Sequence, residues 1–153
     1  MINSTRGLTF KPATINDTYE LTSQMLDRGL QDHERLGEQP ILSVARNLYE
    51  LDCYYGYGPD GNLYGAYGVA EDNFLWLQLT KQVKQSPLTT VRFGKVLMEH
   101  INRPFLWSII DLENTALLNL ARYLGFKVLR VYPDGPDNTY SLEIVRLCPS
   151  HLE

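Results

Sequence analysis

Three cations cluster where the chain carries the signature of a helix start. Lys81, Lys84 and Arg92 flank Ser86-Pro87, and proline is favoured at the first helical position, where no backbone N–H is needed. A helix N-terminus presents unpaired N–H groups and partial positive charge. Cations beside it strengthen that field, so the chemistry suggested is binding of an anion such as a phosphate. The competing reading is an ordinary solvated helix face. Residues 81–104 carry five basic side chains and one acidic one, Glu99, whereas residues 1–80 carry five basic and eleven acidic, and residues 105–153 four and six. A basic island in a chain of net charge −4 indicates a local anion site. A nucleic-acid surface needs a wider basic face, so no nucleic-acid partner is expected.

Groups able to move protons are sparser. Glu71, Gln78 and Asp111 stand at or near predicted strand ends, where a general base can be placed; each also reads as a solvated strand-end residue, and no catalytic residue is assigned. His33, His100 and His151 are scattered, and Cys53 and Cys148 are far apart without ligand spacing. No metal site is expected, and buried free thiols are.

The elements that must position these residues are legible from their periodicities. Residues 8–13 alternate up to Pro12 and read as a strand. Thr14 to Asp17 resembles a helix cap, followed by Leu21, Met25 and Leu26 at helical spacing to Gly29. A second helix is predicted near 41–51, with Ile41, Val44, Ala45 and Leu48 on one face. Strands over 53–57 and 63–70 flank Pro59-Asp60-Gly61-Asn62, a turn in which Pro presets φ and Gly accepts φ > 0. Residues 74–79 form a strongly apolar strand. A helix over 88–102 carries Val91, Gly94, Met98 and Ile101 on one side. Phe105 to Ile110 reads as a strand buried on both faces. Asn114 is placed to cap a helix whose apolar stripe is Leu117, Leu120, Ala121 and Leu124, and Gly125 fits the left-handed residue that ends it, with Phe126 folding back. A strand over 127–131, a wide turn at Pro133-Asp134-Gly135-Pro136 and a last strand through Tyr140, Leu142 and Ile144 complete the chain. Alternate tyrosines of the 53–70 hairpin, Tyr54, Tyr55, Tyr64 and Tyr67, are expected to face away from the core as a protein-binding surface.

The order β-α-α-β-β-β-α-β-α-β-β, with Asn114 opening a helix that ends in Gly125-Phe126, resembles the GNAT acyltransferase superfamily. The resemblance implies an α+β fold, a mixed β-sheet flanked by helices, in a single domain spanning 1–153. It also implies an acetyl-CoA site, with Leu79, Lys81, Lys84, Arg92 and Asn114 as cofactor-binding residues. Two departures stand out. The stretch from Leu79 to Leu88 lacks the glycines with which that superfamily exposes amides to a pyrophosphate. Its acid tyrosine falls at Ala121, and Tyr123, two residues on, projects from nearly the opposite helix face.

Leu106-Trp107 ahead of Asn114-Thr115, with Val96-Leu97-Met98-Glu99 upstream, is similar to the small internal virion proteins of short-tailed phages, mainly over residues 75–126. That resemblance implies a virion morphogenesis or accessory role with a degenerate acetyl-CoA site, and a virion or host protein as partner. The alternative is an active acetyl-CoA-dependent N-acetyltransferase with an unidentified amine acceptor. At 153 residues, 44% apolar and 21% charged, the composition is that of a soluble globule. No apolar run approaches the roughly 20 residues of a membrane helix, and the first residues lack an apolar signal core. The expected location is the cytoplasm, of a host if phage-encoded, or the virion.

Overall fold

The computed structural model describes residues 7–25, 30, 39–133 and 139–147 with their side chains, and the backbone of 2–3. The strands are β1 (Ile2–Asn3), β2 (Thr9–Ala13), β3 (Cys53–Tyr57), β4 (Leu63–Val69), β5 (Leu75–Leu79), β6 (Phe105–Asp111), β7 (Lys127–Pro133) and β8 (Tyr140–Leu147). The α-helices are α1 (Thr18–Gln24), α2 (Pro40–Glu50), α3 (Pro87–His100) and α4 (Thr115–Tyr123). Apart from the added β1, the elements bounded within the described residues follow the predicted order. Gly29, His33, His151, Cys148 and the turn at 134–136 lie outside the described residues.

The strands form two antiparallel sheets, β1-β2-β3-β4-β5 and β6-β8-β7. They meet through one parallel bridge, Phe74 with Trp107, so the mixed character of the sheet is confined to the β5–β6 junction. Helices cover both faces of the five-stranded sheet. One core gathers Leu21, Val44, Leu48, Tyr55, Ala66 and Trp76 under α1 and α2. The other gathers Phe10, Tyr64, Tyr67, Phe93 and Leu97 under α3, and continues through Leu106, Leu120, Phe126 and Ile144 into the second sheet.

Local chemistry explains most boundaries. Thr14 N donates to the Asp17 carboxylate at 2.7 Å, bracketing the short 3-10 turn ahead of α1. Pro87 opens α3, and Gly61 takes φ +81° in the β3–β4 turn. The Asn114 side chain accepts from Leu117 N, and α4 stops at Gly125 with φ +94°. There Phe126 N reaches Ala121 O and Gly125 N reaches Arg122 O, the paired bonds of a Schellman stop.

Two expectations are corrected. Tyr55, Tyr64 and Tyr67 are buried, and Tyr54 is half-buried against Tyr67 and His100. The hairpin is covered from both sides, so alternation along it separates two cores instead of core from solvent. Conversely, β6 is not buried on both faces: Leu106 and Ile110 are buried, but Phe105 and Ile109 are exposed. Among the described residues no helix covers them. The outer strand β7 is exposed at every residue except Tyr132, which is intermediate.

Candidate active site

The bridge between the sheets is knotted at one end of β5 and β6. Trp107 N donates to Asn73 O at 3.1 Å, and the Trp107 indole N–H donates to Asp72 O at 3.0 Å. The Phe74 and Trp107 rings meet edge-on at 4.8 Å. Arg103 reaches the Asn73 side chain at 2.9 Å, and Asn73 holds a left-handed φ of 71°. One residue further along each strand, Ser108 Oγ donates to Leu75 O at 2.9 Å. Beyond that contact no β-pairing joins the two strands among the described residues.

The divergence opens a cleft of about 320 Å³. Thr80 N donates to Tyr64 O, so even-numbered β5 residues bond to β4. By the alternation of an antiparallel ladder, the backbone N–H and C=O groups of Leu77 and Leu79 point away from β4 and into the cleft. The opposite wall is Leu117, Leu120, Ala121 and Leu124 of α4. That stripe is the expected apolar face: Leu120 and Ala121 belong to the core, Leu117 and Leu124 pack against it, and all four also line the cleft. The cleft opens on its other side toward α2, where Ser43, Arg46 and Asn47 fall one turn apart and share a stripe. Trp76 and Gln78 of β5 stand beside them. Trp76 is 7% exposed, and its indole nitrogen is buried without a hydrogen-bond partner.

The structure divides the predicted site residues. Leu79 and Asn114 both line the cleft, and Asn114 does so while capping α4. Lys81 and Lys84 sit exposed in a 3-10 turn, Lys81–Lys84, just past the end of β5. Arg92 is exposed on the second turn of α3 and is not part of the cleft wall. The loop amides are largely committed: Gln82 N donates to Thr80 Oγ1, Val83 N to Thr80 O and Gln85 N to Gln82 O. The glycine-free loop thus folds on itself. Gly94 lies within α3, where an added Cβ would come within 2.9 Å of Leu120 and Leu124, so it serves the α3–α4 contact.

The candidate bases fare differently. Gln78 is in the cleft wall, whereas Glu71 is exposed in the turn at the closed end. Asp111 is buried and its Oδ1 accepts from Glu113 N at 2.8 Å, ordering the turn before α4. Tyr123 is exposed, its ring under the Lys95 ammonium at 5.1 Å, outside the cleft wall. No Asp, Glu, His, Cys, Lys or Tyr lines the cleft among the described residues, nor do those residues gather a metal-binding group. No described helix is long and apolar enough to cross a membrane. Sequence reasoning missed Trp76, Ser43, Arg46 and Asn47. The polar stripe on α2 was visible at i, i+3, i+4 spacing, but nothing local tied it to β5.

No protein-family profile matches the chain, and no curated protein matches it. Solved structures do match. The spermidine N-acetyltransferase of Vibrio cholerae in complex with CoA and spermine aligns with a TM-score of 0.65 at 13% identity, over 96% of this chain and 99% of that one. A protein of Bordetella pertussis assigned to the GnaT acetyltransferase family aligns at 0.61 and 19% identity, over 95% and 98%. Apo YjaB of Escherichia coli aligns at 0.61 and 16%, over 90% and 96%. The resemblance to phage internal virion proteins gains no support from these comparisons, and neither does a protein partner. Over nearly its whole length, then, the chain has the α+β fold of the GNAT acetyltransferases, with its cleft between the diverging edges of β5 and β6.

Proposed function

We propose that the protein is an acetyl-CoA-dependent N-acetyltransferase. The observation that carries this reading is the β5–β6 cleft, apolar on its α4 wall and edged by the backbone of Leu77 and Leu79, which β6 does not pair. That combination suits the amide-bearing, otherwise apolar arm of CoA, with Leu79 and Asn114 flanking it. The diphosphate end fits less completely, because the loop amides serve its own turns. Lys81 and Lys84 would hold it as point charges, with Arg92 contributing at longer range. Bound acetyl-CoA supplies a thioester carbonyl; the acceptor nitrogen bonds to its carbon, the C–S bond breaks, and the proton lost by nitrogen ends on the CoA thiol.

The chain's own contribution is positioning and polarisation. Backbone N–H groups on β5 are fixed by the strand and can stabilise charge developing on a carbonyl oxygen. Ala121 offers no acid, and Tyr123 points away. With no titrating side chain among the described cleft residues, the acceptor amine must arrive neutral from solution. Titration calorimetry with acetyl-CoA tests the reading. Saturable binding is expected, weakened about tenfold (1.4 kcal/mol) by Lys81→Ala with Lys84→Ala. No saturable heat up to about 1 mM, where binding amounts to only about 4 kcal/mol, would refute it.

A further inference from the structure

We propose that the Gln78 and Asn47 carboxamides seat the acceptor nitrogen, and that the acceptor is a weakly basic amine, the α-amine of an aminoacyl amide or peptide. The inference rests on the reading of the cleft as an acetyl-CoA site and names the substrate class of that site. It starts from the two faces of β5. The N–H groups of Leu77 and Leu79 point along the sheet into the cleft, so a group docked on them has one face toward α4 and the other toward α2. The α4 side is the apolar wall of Leu117, Leu120, Ala121 and Leu124. A nitrogen has the α2 side left to it. Leu75, Leu77 and Leu79 belong with the core under α3 and α4, and Phe74 and Trp76 with the core under α1 and α2. Alternation therefore carries Gln78 to the α2 face, between the two N–H groups.

Asn47 lines the same side of the cleft from α2. Both residues are half-buried, and among the described residues neither side-chain amide is engaged in a hydrogen bond or shut off from solvent. An amide oxygen accepts from the N–H of a neutral amine, but it neither carries the charge that balances an ammonium nor takes its proton. Arg46 is the one charged side chain among the described residues lining the cleft, and it brings no negative charge; the described lining from β5, β6, α3 and α4 is uncharged. The nitrogen thus enters as the free amine. At pH 7 an α-amine of pKa about 8 is neutral in about one molecule in ten, and an alkylamine of pKa about 10.4 in roughly one in 2500, a difference of about 200-fold. Gln78 Oε1 holds one N–H while the C–N bond forms, and the proton lost by nitrogen goes to the sulfur as the C–S bond breaks.

The test gives the protein and acetyl-CoA two sets of amines and reads acetylated products by mass spectrometry. One set is glycinamide and a tripeptide amide, which separate a small acceptor from a polypeptide one; the other is n-propylamine, putrescine and spermidine. At pH 7 the first set should show kcat/KM at least about tenfold higher. Gln78→Ala and Asn47→Ala should each raise KM for glycinamide about threefold or more, with acetyl-CoA affinity by calorimetry unchanged. Gln78→Glu, which puts a carboxylate at the same spot, should raise kcat/KM for n-propylamine about tenfold and add an enzyme inflection to the pH profile. A readout independent of turnover is the side-chain NH₂ resonances of Gln78 and Asn47. In protein saturated with CoA, glycinamide should shift both, and more at pH 8 than at pH 6. Should Gln78→Glu fail to fold, the amine preference and these resonances decide. Equal or faster acetylation of the strongly basic amines, a folded Gln78→Glu with unchanged preference and pH profile, resonances that do not move, or no amine acetylated while acetyl-CoA binds overturns the inference and leaves the acetyl-CoA reading standing. Absence of acetyl-CoA binding by calorimetry overturns both.

Discussion

Asn114 does two jobs within one side chain, and they can be separated by measurement. Its Oδ1 accepts from Leu117 N at 3.4 Å, and its side chain is buried in the cleft wall. Asn114→Ala should lower stability by about 1 kcal/mol through loss of the cap; Asn114→Ser, which keeps a capping oxygen, should recover most of this in denaturant titrations. Tyr123 makes the opposite case. It is exposed and stacked under Lys95, so Tyr123→Phe should leave any acetylation rate within about twofold, where loss of a working general acid costs 10²–10⁴-fold. The rate should instead track the acceptor's own ammonium group. kcat/KM is expected to rise tenfold per pH unit up to the acceptor's pKa, with no enzyme inflection between about pH 6.5 and 9. Asn114 and Tyr123 were legible in the sequence because caps and helix faces are settled within a few residues. Trp76 was not, since what surrounds an indole depends on a helix that the chain supplied thirty residues earlier.

At the scale of elements, the seat of α3 on the sheet is set by two glycines. The Phe93 ring lies against Gly56 of β3 and Gly65 of β4, and a Cβ on Gly56 would stand 2.1 Å from Phe93 Cε2. Phe93 is completely buried, so the ring has nowhere to retreat. Gly56→Ala should therefore destabilise the protein by about 1–3 kcal/mol, the usual cost of overfilling a packed core. The double variant Gly56→Ala with Phe93→Leu should lose less than the sum of the two single changes, which thermal melts can read. Element order was readable because each strand and helix carries its own period and its own stop. Sheet pairing was not: residues 74–79 and 105–110 both read as buried strands, and nothing within either says that they touch at one end and part at the other. The tyrosines of the hairpin were misjudged for a related reason. Period two says that neighbours face opposite ways, and only the arrival of α1, α2 and α3 says that both ways are inside.

For the whole molecule, buried titratable groups bound the pH range of the fold. Burial pushes the Cys53 thiol up to about 12, helped by the Asp52 charge. Burial likewise raises Tyr55 and Tyr67, and to a lesser degree Tyr57. A raised folded pKa contributes stability that is complete below the unfolded value and is lost above it. Stability should therefore decline from about pH 9 upward, as the unfolded chain releases protons that the folded chain retains. His100 sets the acid side. It shares a hydrogen bond between Nδ1 and the Tyr67 hydroxyl, and it stacks on Phe10 at 5.2 Å. Burial lowers its pKa, so its contribution is present above the ordinary value near 6.5 and is lost as pH falls below it. Melting temperatures across pH 5–11 should form a plateau between about 6.5 and 9. His100→Gln should flatten the acid limb and leave the alkaline limb in place; an unchanged acid limb would assign it to other groups.

The knot at Asn73, Arg103 and Trp107 makes the molecule a book with one spine. Its two leaves are stiff, because each sheet is internally paired, and among the described residues β5 and β6 share no rungs beyond Ser108. A guest lying between the margins borrows rungs from Leu77 and Leu79 and becomes, for as long as it stays, a temporary strand. The protein should then stiffen most where it is not touched. Amide exchange in β7 and β8 should slow on binding together with that of β6, because a guest adds a second tie between two sheets that otherwise share a spine and a core. Loosening the spine with Trp107→Phe, which deletes the indole bond to Asp72 O, should widen this difference between empty and filled forms.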